Sequence, residues 1–266
     1  MADDQAVLFE RAEGLGIITL NRPAAFNALD LAMADGLLAA LIECDEDPAV
    51  RAVLISGSGA AFCAGGDIRQ MLAHVGPAGH PAVFLKLLTS RLHAGIATMA
   101  RMAKPVVTAV NGPAAGAGMS IAMAGDLTLA ADTAKFTVAY TGIGLVPDGS
   151  SSYFLPRLVG LKRAYELIAL NRPLTAAEAM EAGLVNQVLP AADFAAAARD
   201  YAMKLAAGPT VALGAAKRLL ADSLNSTLET QMERERQAIG DCGRTEDFRN
   251  AADAFVAKRK PVFQGR

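Results

Sequence analysis

A chain of 266 residues with 53% apolar side chains has material for a sizeable core, and its length suits one main domain with an appended subdomain better than two independent domains. Its 25 basic and 27 acidic residues leave a net charge of −2, and no basic run occurs before Lys258-Arg-Lys260, so neither nucleic acid nor an anionic membrane is indicated as a partner. Cys44, Cys63 and Cys242 are odd in number, far apart and without CxxC spacing; with a start, Met1-Ala-Asp-Asp, unlike a signal peptide, they predict a cytoplasmic protein without disulfides or a metal site.

Val7–Phe9 and Gly16–Leu20 read as strands paired around a Glu13-Gly turn, followed by an amphipathic helix from about Asp30 to Cys44 that Asp47-Pro48 terminates. Ala52–Ile55 is the next strand, and the chain is then expected to loop through a glycine turn to Arg69. The stretch from Met71 to Pro81, with two glycines and two prolines, reads as a mobile, substrate-lining segment. Ala82–Ala103 is helical by period, Val106–Val110 is a buried strand, and Gly116–Ala124 is a helix. Leu127–Ala130 and Phe136–Val138 are further short strands, and strands alternate with helices to about residue 190, so the fold class is α/β. From Asp193 onward the pattern is almost wholly helical, which divides the chain into a core at 1–192 and a helical subdomain at 193–266.

Two segments carry the chemistry. Ser58-Gly-Ala-Ala-Phe-Cys-Ala-Gly-Gly-Asp67 and Lys104-Pro-Val-Val-Thr-Ala-Val-Asn-Gly-Pro-Ala-Ala-Gly-Ala-Gly-Met-Ser120 each pass from or near a β-branched strand into a small-residue turn that opens a helix. Such turns expose backbone N–H groups to a developing negative charge, and small residues let a carbonyl approach them closely. The amides of Gly66 and Ala117 are the inferred donors of an oxyanion hole.

The same pair resembles the two signature segments of the crotonase superfamily, the enoyl-CoA hydratases and isomerases. The resemblance continues through Leu20-Asn-Arg-Pro23, Asn27-Ala-Leu29 and Phe255-Val-Ala-Lys-Arg-Lys-Pro261, and so covers essentially the whole chain. It implies a ClpP/crotonase-like ββα superhelix with a C-terminal helical subdomain that mediates trimer formation, giving a homotrimer or a dimer of trimers. It implies an acyl-CoA thioester as substrate, coenzyme A entering with that substrate and no separate cofactor. It also implies contacts from Ala64, Gly65, Gly66, Asp67, Ile68, Arg69 and Tyr140 along the thioester, with Arg22 and Arg69 toward the pantetheine or phosphates. Phe255 and Lys258 would cover the adenine end from an adjacent subunit.

Enoyl-CoA hydratases use two glutamates, at positions that here hold Ser120 and Tyr140. Neither replaces a carboxylate near neutral pH, so a hydratase mechanism lacks its acid and base. Asp148, in Gly144-Leu-Val-Pro-Asp-Gly149, is ordinary turn chemistry by itself. Isomerases of the superfamily, however, place a carboxylate near this point, and one carboxylate suffices to take a proton from one carbon and return it to another. In 4-chlorobenzoyl-CoA dehalogenases a nucleophilic aspartate aligns with Asp148 and a water-activating histidine with His93; their tryptophan is replaced by Tyr140. Asp67 is expected to cap a helix beginning near Ile68, and Cys63 to be a buried structural thiol.

Rival classes are less consistent with the chain. Gly112-Pro-Ala-Ala-Gly-Ala-Gly118 has the glycine spacing of short-chain dehydrogenases, but it lies at mid-chain and no tyrosine has a lysine four residues later. Gly118-Met-Ser-Ile-Ala122 approaches a nucleophile elbow, yet His74, His80 and His93 all precede Ser120, the reverse of the hydrolase order. A non-catalytic RNA-binding or scaffold member is opposed by the retained glycine turns, Asp148 and the near-neutral charge.

Overall fold

The computed structural model describes residues 5–75, 77 and 79–266. Strands β1 (Val7–Ala12) and β2 (Leu15–Leu20) form an antiparallel hairpin in which Ala12 faces Leu15, leaving Glu13 and Gly14 as a two-residue loop. Both loop residues have positive φ, 53° and 84°, as the tight turn between right-twisted strands requires. Helix α1 (Leu31–Glu46) starts where the Asp30 carboxylate accepts the Met33 N–H at 2.8 Å. It stops at Asp47, held extended by the proline that follows.

Strand β3 (Ala52–Gly57) then joins β2 in parallel, followed by α2 (Ile68–Ala73), α3 (Ala82–Arg101), β4 (Val106–Val110), β5 (Ala114–Ala115) and α4 (Ala117–Ala124). Next come β6 (Leu127–Ala131), β7 (Lys135–Thr137), α5 (Ser151–Val159), α6 (Leu161–Leu170), β8 (Leu174–Thr175), α7 (Ala176–Glu181) and β9 (Gln187–Leu189). The main sheet has the order β1-β2-β3-β4-β6-β9 and is parallel beyond the first hairpin; a second sheet has the order β5-β7-β8. All five residues of β4 are buried, as expected of a parallel strand covered on both faces.

The repeating unit is a main-sheet strand, a short strand of the second layer and a helix. β4, β5 and α4 form one such turn, and β6, β7 and α5 the next. Before them, β3 leads to a bridge at Cys63 and then to α2. The Cys63 bridge pairs in parallel with Ala114, and β5 pairs in parallel with β7, so successive turns stack into the expected ββα spiral. Among the described residues no helix is long and apolar enough to cross a membrane.

The helix expected to begin near Ile68 is present, the Asp67 carboxylate accepting the Arg69 and Gln70 amides at its start; it runs on through Met71–Ala73, and Gly76 and Ala78 of the expected mobile segment lie outside the described residues. Helix α8 (Phe194–Ala206) buries Phe194, Ala198, Ala202 and Ala206 in the main core and packs on β2, β3, β4 and β6. The three alanines of this stripe bring the helix close to the sheet, and the helices that follow are α9 (Thr210–Ser223), α10 (Leu228–Cys242) and α11 (Glu246–Val256).

Helix α9 is fastened to the core by Lys217, whose Nζ lies 2.8 Å from Asp126 Oδ2 and donates to the Met99 carbonyl at 2.6 Å. Burial pushes the Asp126 carboxyl up and the Lys217 amine down, each partly offset by the partner's charge. Both ions therefore carry a desolvation penalty at neutral pH, and removing one strands the other. Lys217→Met is expected to destabilise the fold by about 2 kcal/mol. Adding Asp126→Asn, which keeps an acceptor for the Val106 N–H, should recover most of that loss, as read from urea midpoints of the single and double variants.

Candidate active site

The two glycine turns meet at one place. Leu29 and Gly66 form a parallel bridge in which the Leu29 N–H donates to the Gly65 carbonyl at 2.6 Å and the Asp67 N–H donates to the Leu29 carbonyl at 2.9 Å. Gly66 is thereby left with its own N–H on the opposite side of the strand. In the second turn Gly116 takes φ 50° and ψ −121°, a conformation open to glycine, and Ala117 follows as the first residue of α4. The Ala117 N–H has no carbonyl one turn earlier in its helix. Neither amide donates to an acceptor among the described residues.

The turns also interlock. A Cβ on Gly118 would lie 2.1 Å from the Cys63 carbonyl oxygen, and one on Gly65, at φ 95°, would lie 2.9 Å from that of Ala115. The absence of side chains lets the backbones approach closely enough for Gly66 and Ala117 to line one cavity of about 300 Å³. Its walls are otherwise largely leucine and methionine from α2, α3 and the segment before Asp148. Thr89, Tyr140 and Asp148 are its uncharged or acidic polar groups, and Lys86 lies at its edge. Such a site can polarise a carbonyl with two amides while an adjacent carboxylate exchanges a proton with the carbon skeleton.

Asp148 is held by hydroxyls. Tyr140 Oη donates to its Oδ1 at 2.6 Å and Thr89 Oγ1 to its Oδ2 at 2.9 Å. Burial first, then the negative charge of Asp148, pushes the Tyr140 phenol above its ordinary value, so it remains protonated and is the donor of that bond. Ser120, fully buried on α4, lies 2.9 Å from Tyr140 Oη and 2.7 Å from Ser151 Oγ, and donates to the Asp148 backbone carbonyl at 3.1 Å in one hydroxyl orientation. Ser120 and Tyr140 therefore join Asp148 in one hydrogen-bonded cluster.

Residues 10–266 match the sequence profile of the family described as enoyl-CoA hydratase/isomerase. The chain belongs to that family. It is 37% identical over 261 residues, covering 98% of each chain, to a 1,2-epoxyphenylacetyl-CoA isomerase of Escherichia coli strain K12. It is likewise 37% identical over 236 residues, 89% of this chain and 85% of the other, to 4-chlorobenzoyl coenzyme A dehalogenase-2 of an Arthrobacter species. The crystal structure of an enoyl-CoA hydratase from Polaromonas sp. JS666 superposes with a TM-score of 0.91 at 32% identity, covering 97% of this chain and 99% of that one. The architecture is the crotonase fold.

Of the residues that family resemblance singled out, Gly66, Ala117, Tyr140 and Asp148 line the cavity together. His93 does not line it; exposed on α3, it accepts the Gly149 N–H on Nε2 at 3.0 Å. Arg22 is paired with Asp67 at 3.0 Å and Asp30 at 3.2 Å, and so binds the loop before α1 to the first glycine turn. Burial works against ionisation of Asp67, but bonds from the Gln70 amide and Arg22 outweigh it and hold the carboxyl below its ordinary value. Asp67 is thus the expected helix cap. Ala64, Ile68 and Arg69 are exposed beside the turn, while Gly65 is buried beneath it. Phe255 and Lys258, at the end of α11 and just beyond it, are exposed and do not line this chain's cavity. Cys63 is fully buried, and burial raises its thiol to about 11, so it is no nucleophile at neutral pH.

Sequence reasoning missed Thr89 and Asn27. Thr89 occupies one polar position of an ordinary amphipathic helix, and nothing local marks it. Asn27 had a signal, since it lies in a quoted family segment. Fully buried at φ 56°, its amide donates to the Ser58 and Ala61 carbonyls at 2.9 and 2.8 Å, while its Oδ1 accepts the Arg22 N–H. It holds the first turn from behind.

Proposed function

We propose that this protein is an acyl-CoA isomerase acting on an unsaturated or ring-containing enoyl-CoA. The thioester carbonyl accepts hydrogen bonds from the Gly66 and Ala117 amides. The Asp148 carboxylate takes a proton from one carbon, its oxygen gaining the O–H as the C–H pair moves into an enolate. Return of that proton to another carbon shifts the double bond without change of mass. The step calls for no resident cofactor, coenzyme A arriving with the substrate.

The observation that carries this reading is that Asp148 is the only carboxylate lining the cavity among the described residues, while the two hydratase glutamate positions are hydroxyls bonded to it or to each other. Assembly as a homotrimer or a dimer of trimers belongs to the same proposal, with Phe255 and Lys258 of one copy serving the nucleotide end of another.

The test is a mass-spectrometric and spectrophotometric assay of purified protein with 3-enoyl-CoA, 2-enoyl-CoA and 4-chlorobenzoyl-CoA. The expected product from 3-enoyl-CoA has unchanged mass and the absorbance of a conjugated thioester. Gain of water on 2-enoyl-CoA, or release of chloride from the aromatic ester, without isomerisation would replace the proposal with hydration or dehalogenation.

A further inference from the structure

The turn that carries Asp148 is not self-supporting. Gly149 and Ser150 adopt left-handed backbone conformations in succession, φ 57° and 65°, and Ser150 lacks glycine's freedom there. Two residues one helical turn apart on α3 grip this turn from the same side. Thr89 donates to the Asp148 side chain, and His93 Nε2 accepts the Gly149 N–H at 3.0 Å. A ring nitrogen that accepts an N–H carries no hydrogen of its own, so the imidazole making this bond is neutral, with its hydrogen on Nδ1.

We propose that His93 is a positioning residue that fixes the direction of the Asp148 carboxylate through the Gly149 backbone, and not a base that activates water. In that role it contributes a lone pair and a length, and its proton affinity is incidental. The inference rests on Asp148 being the base of the proposed isomerisation, but the bond itself is observable without turnover. Glutamine places its amide oxygen as many bonds from the main chain as Nε2, so it can accept the Gly149 N–H with no ability to act as a base. Asparagine is one bond shorter and leucine has no acceptor.

The experiment compares parent, His93→Gln, His93→Asn and His93→Leu by kcat and KM on the isomerised enoyl-CoA, by imidazole 15N spectra of the parent, and by hydrogen exchange of the Gly149 amide. His93→Leu and His93→Asn are expected to lower kcat about ten- to a hundredfold through misplacement of the carboxylate. KM should stay within about twofold, since the Gly66 and Ala117 amides and the cavity wall are untouched. His93→Gln should remain within about threefold of the parent kcat. The parent imidazole should show its hydrogen on Nδ1, and Gly149 exchange should accelerate in the leucine variant and slow again in the glutamine variant. Equal damage from glutamine and leucine, or an imidazole hydrogen on Nε2, overturns the proposal. If the parent isomerises no substrate, the functional reading falls. Gly149 protection then still decides the bond: lost with leucine and regained with glutamine supports it, unchanged with leucine overturns it.

Discussion

Asp148→Asn is expected to lower kcat for isomerisation by about 10²- to 10⁴-fold, the range over which a positioned acid–base group accelerates proton transfer. The substitution keeps the size and planarity of the side chain, and the cavity wall is unchanged. Thr89 and Tyr140 each present a hydroxyl that can donate to the amide oxygen or rotate to accept from the NH2 group. The fold should therefore lose no more than about 1 kcal/mol. Binding of the acyl-CoA should be nearly unaffected, because in the proposed mechanism the carbonyl contacts come from Gly66 and Ala117. Steady-state kinetics beside calorimetric binding of a substrate thioester separate the two effects. A variant that keeps kcat within about threefold of the parent would remove Asp148 from the chemistry.

What could be read in advance divides by distance along the chain. The glycine turns, the strand before each and the caps at Asp30 and Asp67 are local features, each legible from a few neighbouring residues because turn and cap chemistry depends on backbone angles and nearby amides. The cluster at Asp148 is different. Tyr140 lies eight residues away, but Thr89 and His93 are separated from their partners by 59 and 56 positions. On a helix whose leucines face the core, these two polar positions look like part of a solvated face, and only the return of the chain after β7 shows what they hold. The start of the short helix α2 was legible from its cap, but its end was not, because the glycines and prolines that follow suggested a loop from Met71 onward. The packing of helix α8 on the main sheet was not legible, because an alanine stripe reads the same against a sheet as against another helix.

The arrangement of Ser120 and Tyr140 makes room for the Asp148 turn. A glutamate at Ser120 would enter a fully buried site where Gly149 already approaches: a Cβ on Gly149 would stand 2.8 Å from that of Ser120. The small serine admits the Asp148 turn to this space, and Tyr140 spans the remaining gap to reach the carboxylate. A small residue at Ser120 and the position of the Asp148 turn are therefore sterically linked. An additional acid at Ser120 would displace the turn that carries the existing one.

The backbone half of the site can be tested as directly as the side-chain half. Ala117→Pro removes a backbone donor that no other side-chain substitution can remove. Proline is well tolerated at the first position of a helix, where its missing N–H has no intrahelical acceptor. The preceding residue is glycine, whose ψ of −121° is the mirror image of the extended angle that proline favours before it and carries no Cβ penalty. The helix should thus remain intact, while the amide is lost and a ring carbon stands where its hydrogen pointed. The expected result is a fall of about 10²- to 10³-fold in kcat, the effect of deleting one oxyanion donor. Weaker acyl-CoA binding should accompany it, because the ring also excludes the carbonyl. That combination contrasts with Asp148→Asn, which leaves binding in place. A folded Ala117→Pro variant with parental kcat would mean that the thioester carbonyl does not rest on this amide. A pronounced loss in both kcat and binding, with the thermal midpoint within about 4 °C of the parent, would locate the developing negative charge at the start of α4.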